Sequence, residues 1–496
     1  MSFYKISPKN GLDEENLING RQNNYAWSIE ELGDYIYVGT GRNVPYNIIK
    51  IDPNVNTPDL ITPEQLDNSP EIWRYKKNSL KGWQLVHKAD IQSTISGYRY
   101  IVGHNPYNGM KCLYAASYGG NVEILKSTNG VNWFKVQEGA IQGTSSRAMV
   151  SHNGKIYVGA IDETSISDIT LLYSSTDPEF FPFDLVIDSG KPGFDPDKNP
   201  KGQISNMVVF NNKLYVATSS LKGVALYRTE GCEPEMNKWV KIAENGFDCP
   251  LNTYSLSIGV FKEHVYLSMT KILPISWLLP IGCEIVRVDK KDRWEVIVGG
   301  SIFDDDECCC NSRCKHHYGP GFNNPFNVYA WQIEEYKGRL FVTTFDDAIN
   351  MELILNTLLA NKEELIGMIG DKFTNLLIDL YMLIVKELNR LKYPFGFNMY
   401  MSEDGVSFKP VCVNGFDNGK NYGGRLLFVD SCNSLYVGTA NPYEGCEMWV
   451  TNEIPRCFAR DFDFTSILCS KEYKMIMENK DEIMEKLKIV TNKIKK

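Results

Sequence analysis

With 496 residues, 43% of them hydrophobic and 23% charged, the chain is long enough for several ordinary domains or one large repeat domain. A net charge of -9 excludes non-specific nucleic-acid binding, which needs clustered positive charge, and the sequence has no run of roughly 18 apolar residues that would suggest a membrane span. Thirteen cysteines, an odd number, behind an N-terminus (Met1 to Pro8) without an apolar signal core read as reduced thiols in a cytoplasm.

In chain order, one apolar strand keeps returning: Tyr35-Ile36-Tyr37-Val38, Leu113-Tyr114, Ile156-Tyr157-Val158, Leu214-Tyr215-Val216, Val265-Tyr266-Leu267, Leu340-Phe341-Val342 and Leu435-Tyr436-Val437. Each copy follows another strand across a tight polar turn such as Asn153-Gly154 or Asn211-Asn212, a hairpin signature. A third strand (Glu71-Ile72-Trp73 or Glu447-Met448-Trp449) and a fourth (Trp83 to Val86 or Trp239 to Ile242) complete each unit. After Trp449 the fourth strand is missing, and the N-terminus supplies it: Asn10-Gly11-Leu12-Asp13 matches Asn245-Gly246-Phe247-Asp248 and Asn414-Gly415-Phe416-Asp417. The prediction is an all-β, seven-bladed β-propeller over residues 2–452, closed by its N-terminal strand so that no sheet edge is left open.

The turns Ser127-Thr128-Asn129-Gly130 and Ser402-Glu403-Asp404-Gly405 resemble the Asp-box of sialidase-type propellers, a structural turn without catalytic duty. The repeat as a whole resembles a bacterial seven-bladed propeller family with Gly-Phe-Gly-Asp, Leu-Tyr-Val-Gly-Thr and Gly-x-Glu-Val-Trp-Arg motifs. It is also similar to the propeller of the cyanobacterial enzyme that alkylates resorcinols, although the calcium-binding repeats that precede that propeller have no counterpart here. That resemblance implies an arginine, an acid and a tyrosine meeting at the channel mouth, for which Arg99 or Arg147, Asp346 and Tyr443 are the candidates. Sialidase chemistry is disfavoured, since no Tyr-Glu nucleophile pair can be placed and the blade count is seven rather than six.

Extra length falls at residues 41–69, 271–282, 300–326 and 347–395, all on one face of the predicted disc, which marks that face as the working one. The insertion 348–392 reads as helical. Leu376 to Val385 is apolar almost all round, so 351–388 is expected to be a lid, a protein-partner surface or a contact with a membrane surface. Residues 470–496 carry Ile476, Met477, Ile483, Met484, Leu487 and Val490 at helical spacing and predict a C-terminal amphipathic helix.

Aligning the innermost strands on the anchor aromatic gives one position per blade: Trp27, Arg99, Arg147, Ser205, Leu256, Trp331 and Arg425. Three arginines converging there suit a carboxylate, sulfate or phosphate, and Trp27 and Trp331 offer stacking surfaces. The competing expectation is that each arginine pairs with Asp162, Glu163, Asp346 or Asp347. Glu71, Glu123, Glu284 and Glu447, which open third strands, are expected to be structural. Cys310, Cys314 and His316 form the densest soft-ligand cluster, a candidate structural zinc site at a spacing unlike the standard ones. The reading is thus a binder of an anionic, partly lipophilic small molecule, with an enzyme at the same site or an interaction scaffold as the alternatives.

Overall fold

The computed structural model describes residues 3–44, 65–79, 81–106, 109–136, 141–162, 169–272, 276, 279–300, 314–458, 462–480, 482–483 and 486, with the backbone alone given for 314–317. The fold is mostly β. Consecutive strands pair antiparallel in groups of four, the first being Asn23–Leu32, Tyr35–Arg42, Glu71–Lys76 and Gln84–Lys88. Further groups start at Gly97, Ser145, Gln203, Asn252, Asn327 and Gly423. The hairpin turns are of the left-handed kind that matches strand twist: Asn153 and Gly154 have φ of 46° and 74°, and Asn211 and Asn212 49° and 56°.

Each innermost strand contacts the next, and the strand Gly423–Val429 contacts Asn23–Leu32. The core lies between neighbouring groups. Tyr215, Leu226 and Phe247, for instance, pack against Val265, Leu267 and Val286. The last group holds three strands from its own stretch of chain, Gly423–Val429, Leu435–Ala440 and Met448–Thr451. Its fourth is Tyr4–Lys5, with Tyr4 opposite Val450 and Lys5 opposite Trp449.

A repeated polar clasp ties the groups together. Asn23, Asn252, Asn327 and Asn421 donate through Nδ2 to the carbonyls of Gly11, Gly246, Gly321 and Gly415 at 2.8, 3.1, 2.9 and 2.9 Å. In three of them the same amide donates to the glutamate that opens the third strand: Asn23 to Glu71 and Asn252 to Glu284 at 2.8 Å, and Asn421 to Glu447 at 2.7 Å. Arg42 and Lys271, at the register position opposite the clasp asparagine, pair with Glu71 and Glu284. These glutamates therefore spend their charge inside the fold.

The insertion forms helices Met351–Ala360, Lys362–Ile369 and Asp371–Leu391. Leu377, Ile378, Leu380, Tyr381, Ile384 and Leu388 face inward at helical spacing and join one core with Leu279, Ile281, Phe326, Phe464, Ile467, Tyr473 and Ile476. The helix expected to be apolar all round is one-sided, with Lys372, Asp379, Met382 and Lys386 exposed. The tail supplies the helices Thr465–Leu468 and Lys471–Glu478, the second capped by Ser470, and Tyr473 donates to the Pro280 carbonyl at 3.2 Å. Met484, Leu487 and Val490 lie outside the described residues. No helix among the described residues is long and apolar enough to cross a membrane.

Candidate functional site

The seven aligned residues share a backbone feature that the alignment could not reveal. In every innermost strand the pairing register skips at that one residue: Trp27, Arg99, Arg147, Ser205, Leu256, Trp331 and Arg425 each sit in a β-bulge. A bulge bends its strand and re-aims the extra side chain. Repeated in the innermost strand of each group, it presents one side chain per group at the same register position.

The ring has a sealed arc and an open arc. Trp331, Arg425 and Trp27 are 8%, 8% and 4% exposed, whereas Arg99, Arg147 and Leu256 are half-buried, with the small Ser205 between the last two covered. The tryptophans are seated by glycines. A Cβ on Gly97 would fall 2.2 Å from Trp27 Cζ3, one on Gly41 2.3 Å from its Cε3, and one on Gly423 2.1 Å from Trp331 Cζ3. Each indole thus lays its benzo edge on bare backbone, which turns the opposite edge of Trp27, carrying Nε1–H, away from that backbone.

Arg425 stands between the two tryptophans, its Cζ 5.3 Å from the Trp331 ring centre and 6.0 Å from that of Trp27. Arg99 lies over Trp27 at 5.0 Å and Tyr118 at 5.5 Å, and also reaches Ser145 Oγ at 3.3 Å. Arg147 lies over Tyr254 at 5.1 Å. Burial, then the like charge of Arg99, pushes the Arg425 guanidinium down to about 9, with Arg147 adding to the repulsion. Among the described residues no acid pairs with Arg425, and its Nε and Trp27 Nε1 are both buried without a hydrogen-bond partner. Unpaired buried donors are uncommon and call for an explanation.

Above the sealed arc Tyr25 meets Trp27 and Trp331 edge-on at 5.8 and 5.7 Å, and its hydroxyl hydrogen-bonds that of Tyr422. Burial drives Tyr25 up to about 12. Beyond Tyr422, Tyr443 donates to Asn350 Oδ1 at 2.9 Å and Asn350 Nδ2 to Asp347 Oδ1 at 2.5 Å. Burial, and to a lesser degree the neighbouring Asp346, raises the Asp347 carboxyl to about 8, and burial and Asp347 raise Tyr443 to about 12. Tyr25, Tyr422 and Asn350 carry no motif in the sequence, where Asp347 enters only as a possible partner of the arginines. Only the spacing of Tyr25 two residues before Trp27, and of Tyr422 three before Arg425, hinted at them.

Asp346 occupies the clasp of its group. It stands opposite Asn327, the register position held elsewhere by Arg42 and Lys271, while Asn398 takes the glutamate's place. Its carboxylate accepts from Tyr393 Oη, from Asn324 and Asn398 Nδ2 at 3.1 Å each, and from the Ala348 N–H at 3.0 Å. Its lone pairs are committed there, and burial raises its pKa. Cys310 lies outside the described residues, and for Cys314 and His316 only the backbone is given, in a strand Cys314–Tyr318 running parallel to Trp294–Val298.

No family model matches the chain, and no curated protein matches it. Among solved structures it is similar to the GH74 xyloglucanase from Xanthomonas campestris at 12% identity, over 89% of this chain and 54% of that one, with a TM-score of 0.43. The chain thus spans about half the length of that protein. It is also similar to the beta-propeller domain of the Trilobed protease from Pyrococcus furiosus (11% identity, 88% of this chain and 99% of that one, TM-score 0.41). A third is the WD40 beta propeller domain of Doa1 (9% identity, 91% and 98%, TM-score 0.44). Identities this low concern the β-propeller fold and not its chemistry.

Proposed function

We propose that this chain is a seven-bladed propeller, closed by the pairing of Tyr4–Lys5 with Met448–Thr451, that binds an anionic, partly lipophilic small molecule at the ring of Trp27, Arg99, Arg147, Trp331 and Arg425. The observation that carries the reading is the buried guanidinium of Arg425, without an acid among the described residues and with Nε and the neighbouring Trp27 Nε1 unpartnered. An oxyanion supplies what both donors lack, and the aromatic walls suit an apolar body. The covered apolar face of helices 351–391 favours a lid over a membrane or partner contact, and the buried free thiols of Cys112, Cys283, Cys412 and Cys446 fit a cytoplasmic setting. A zinc site at Cys310, Cys314 and His316 remains part of the proposal, to be tested by metal analysis of the purified protein.

Calorimetric titration with phosphate, sulfate and octanoate is the test. Binding that is lost in Arg425→Gln supports the reading, and equal behaviour of the two proteins refutes it.

A second reading, transferase-type chemistry on an aromatic or lipophilic substrate, draws on Asp347, a buried carboxyl within electrostatic reach of Tyr443 and Tyr422. Of the residues first named for it (Arg99, Arg147, Asp346 and Tyr443), Asp346 is the one whose carboxylate is fully engaged, so Asp347 takes the role of base. Incubation with a resorcinol and an alkyl chloride tests it. Product that disappears in Asp347→Asn, with octanoate binding intact, supports it, and product formation unchanged in that variant removes Asp347 from the reaction.

A further inference from the structure

Below the ring of bulges the channel carries a second level, three residues further along each innermost strand. Val102, Val150, Val208 and Phe428 hold that position in four groups and are half-buried. Two groups place an acid there. Glu30 is spent, since it accepts from Lys111 Nζ at 2.9 Å and from the Gly103 N–H at 3.0 Å. Glu334 is not. It lies on the strand Asn327–Tyr336, next to the strand of Arg425, and accepts the N–H of Glu335. Among the described residues no cation pairs with it. Its side chain is deep in the molecule yet reached by solvent, as befits a channel wall, and burial raises its carboxyl to about 7.

Among the described residues no ion pair joins Arg425 to Glu334. Both belong to adjacent strands running the same way, and three residues of strand cover roughly 10 Å. The two levels therefore offer a cation and, roughly 10 Å further along the strands, an acid set among apolar side chains.

We infer that the molecule bound here is an extended one, with an anion at one end for Arg425 and an ammonium or other hydrogen-bond donor at the other for Glu334, the two about 10 Å apart along an apolar body. This rests on Arg425 being the anion subsite of the proposed function. It narrows the ligand from any lipophilic anion to an elongated zwitterion or hydroxy acid.

The probes are octanoate, 8-aminooctanoate and 4-aminobutanoate, titrated calorimetrically into the wild-type chain, Glu334→Gln and Arg425→Gln. The expected result is that 8-aminooctanoate binds the wild type about tenfold more tightly than octanoate, a gain set by one charge-assisted contact. The gain vanishes in Glu334→Gln, which still binds octanoate, and the short 4-aminobutanoate shows none. If octanoate and 8-aminooctanoate bind equally while Arg425→Gln weakens both, the extended ligand is refuted and the anion subsite stands. If the gain survives in Glu334→Gln, the acid is misassigned. If no probe binds, the anion subsite itself falls. The length comparison within the wild type holds even where a variant does not fold.

Discussion

Replacing Arg425 by Met should make the ligand-free protein more stable. The guanidinium is held at about 9 rather than its ordinary 12.5 by burial and by Arg99, and at about 1.4 kcal/mol per pH unit this corresponds to a cost of about 5 kcal/mol for keeping it charged. Against that stand two aromatic contacts, at 5.3 and 6.0 Å, each contributing about 1–2 kcal/mol in a desolvated setting. The balance is a gain of about 1–3 kcal/mol when the charge is removed and an unbranched apolar chain of similar length fills the space. Urea unfolding in a buffer free of phosphate and sulfate measures it. Addition of a bound anion at about 100 times its dissociation constant should then raise wild-type stability by about 2.7 kcal/mol and leave the variant unchanged. A loss of more than about 1 kcal/mol in Arg425→Met would show that the charge is compensated within the fold, and the case for an anion subsite would collapse with it.

Further expectations concern the seat, the clasp, pH and the pairing of the N-terminal strand. Gly97→Ala puts a Cβ 2.2 Å from the Trp27 ring and should cost about 1–3 kcal/mol while abolishing anion binding; Gly231→Ala, with open space around it, is the neutral control in the same melts. Asn421→Ala strips Gly415 O and Glu447 of a donor and should cost about 2–4 kcal/mol by urea unfolding, a loss under 1 kcal/mol arguing against the clasp. Asp347 and Glu334 have folded-state values of about 8 and about 7, above their unfolded ones. The stability they contribute is therefore complete only below their unfolded values of about 4, falls as pH rises from there, and is fully lost once pH passes about 7 to 8. Thermal midpoints should fall from pH 5.5 to 8.5, and less steeply in Asp347→Asn; a rise over that interval would contradict both. Deleting residues 1–6 removes the partner of Met448–Thr451 and the buried Phe3. The urea midpoint should drop and the exposed edge should promote aggregation, and an unchanged midpoint would show the pairing to be dispensable.

The ring positions were legible in the sequence because the bulge recurs in every innermost strand, so counting back from the anchor aromatic reached equivalent residues without knowledge of the bulge itself. What could not be read was which arc is sealed. That depends on Gly41, Gly97 and Gly423 offering bare backbone to two indoles, a contact between neighbouring groups with no local signature. The placement of Asp346 shows a different limit. Arg42 with Glu71 and Lys271 with Glu284 establish a cation-and-acid pattern, and one group inverts it by pairing Asp346 with Asn398. Taken alone Asp346 resembles a catalytic acid, and beside its counterparts it is a fastener. For the helical insertion the signal was present, since Lys372, Asp379 and Lys386 recur every seven residues and mark the solvent face of a helix whose other sides are covered.

The pairing of Tyr4 with Val450 joins positions 446 residues apart. At a synthesis rate of roughly 5–20 residues per second, the partner emerges roughly 20–90 s after the first strand. Throughout that interval Phe3 and Lys5 have neither their pocket nor their ion partner Glu447. The strand Tyr4–Lys5 therefore finds its partner strand only after the last group has been made. A chain truncated anywhere before residue 448 keeps an unsatisfied first strand, so the pairing of Tyr4–Lys5 registers that the last group has been made.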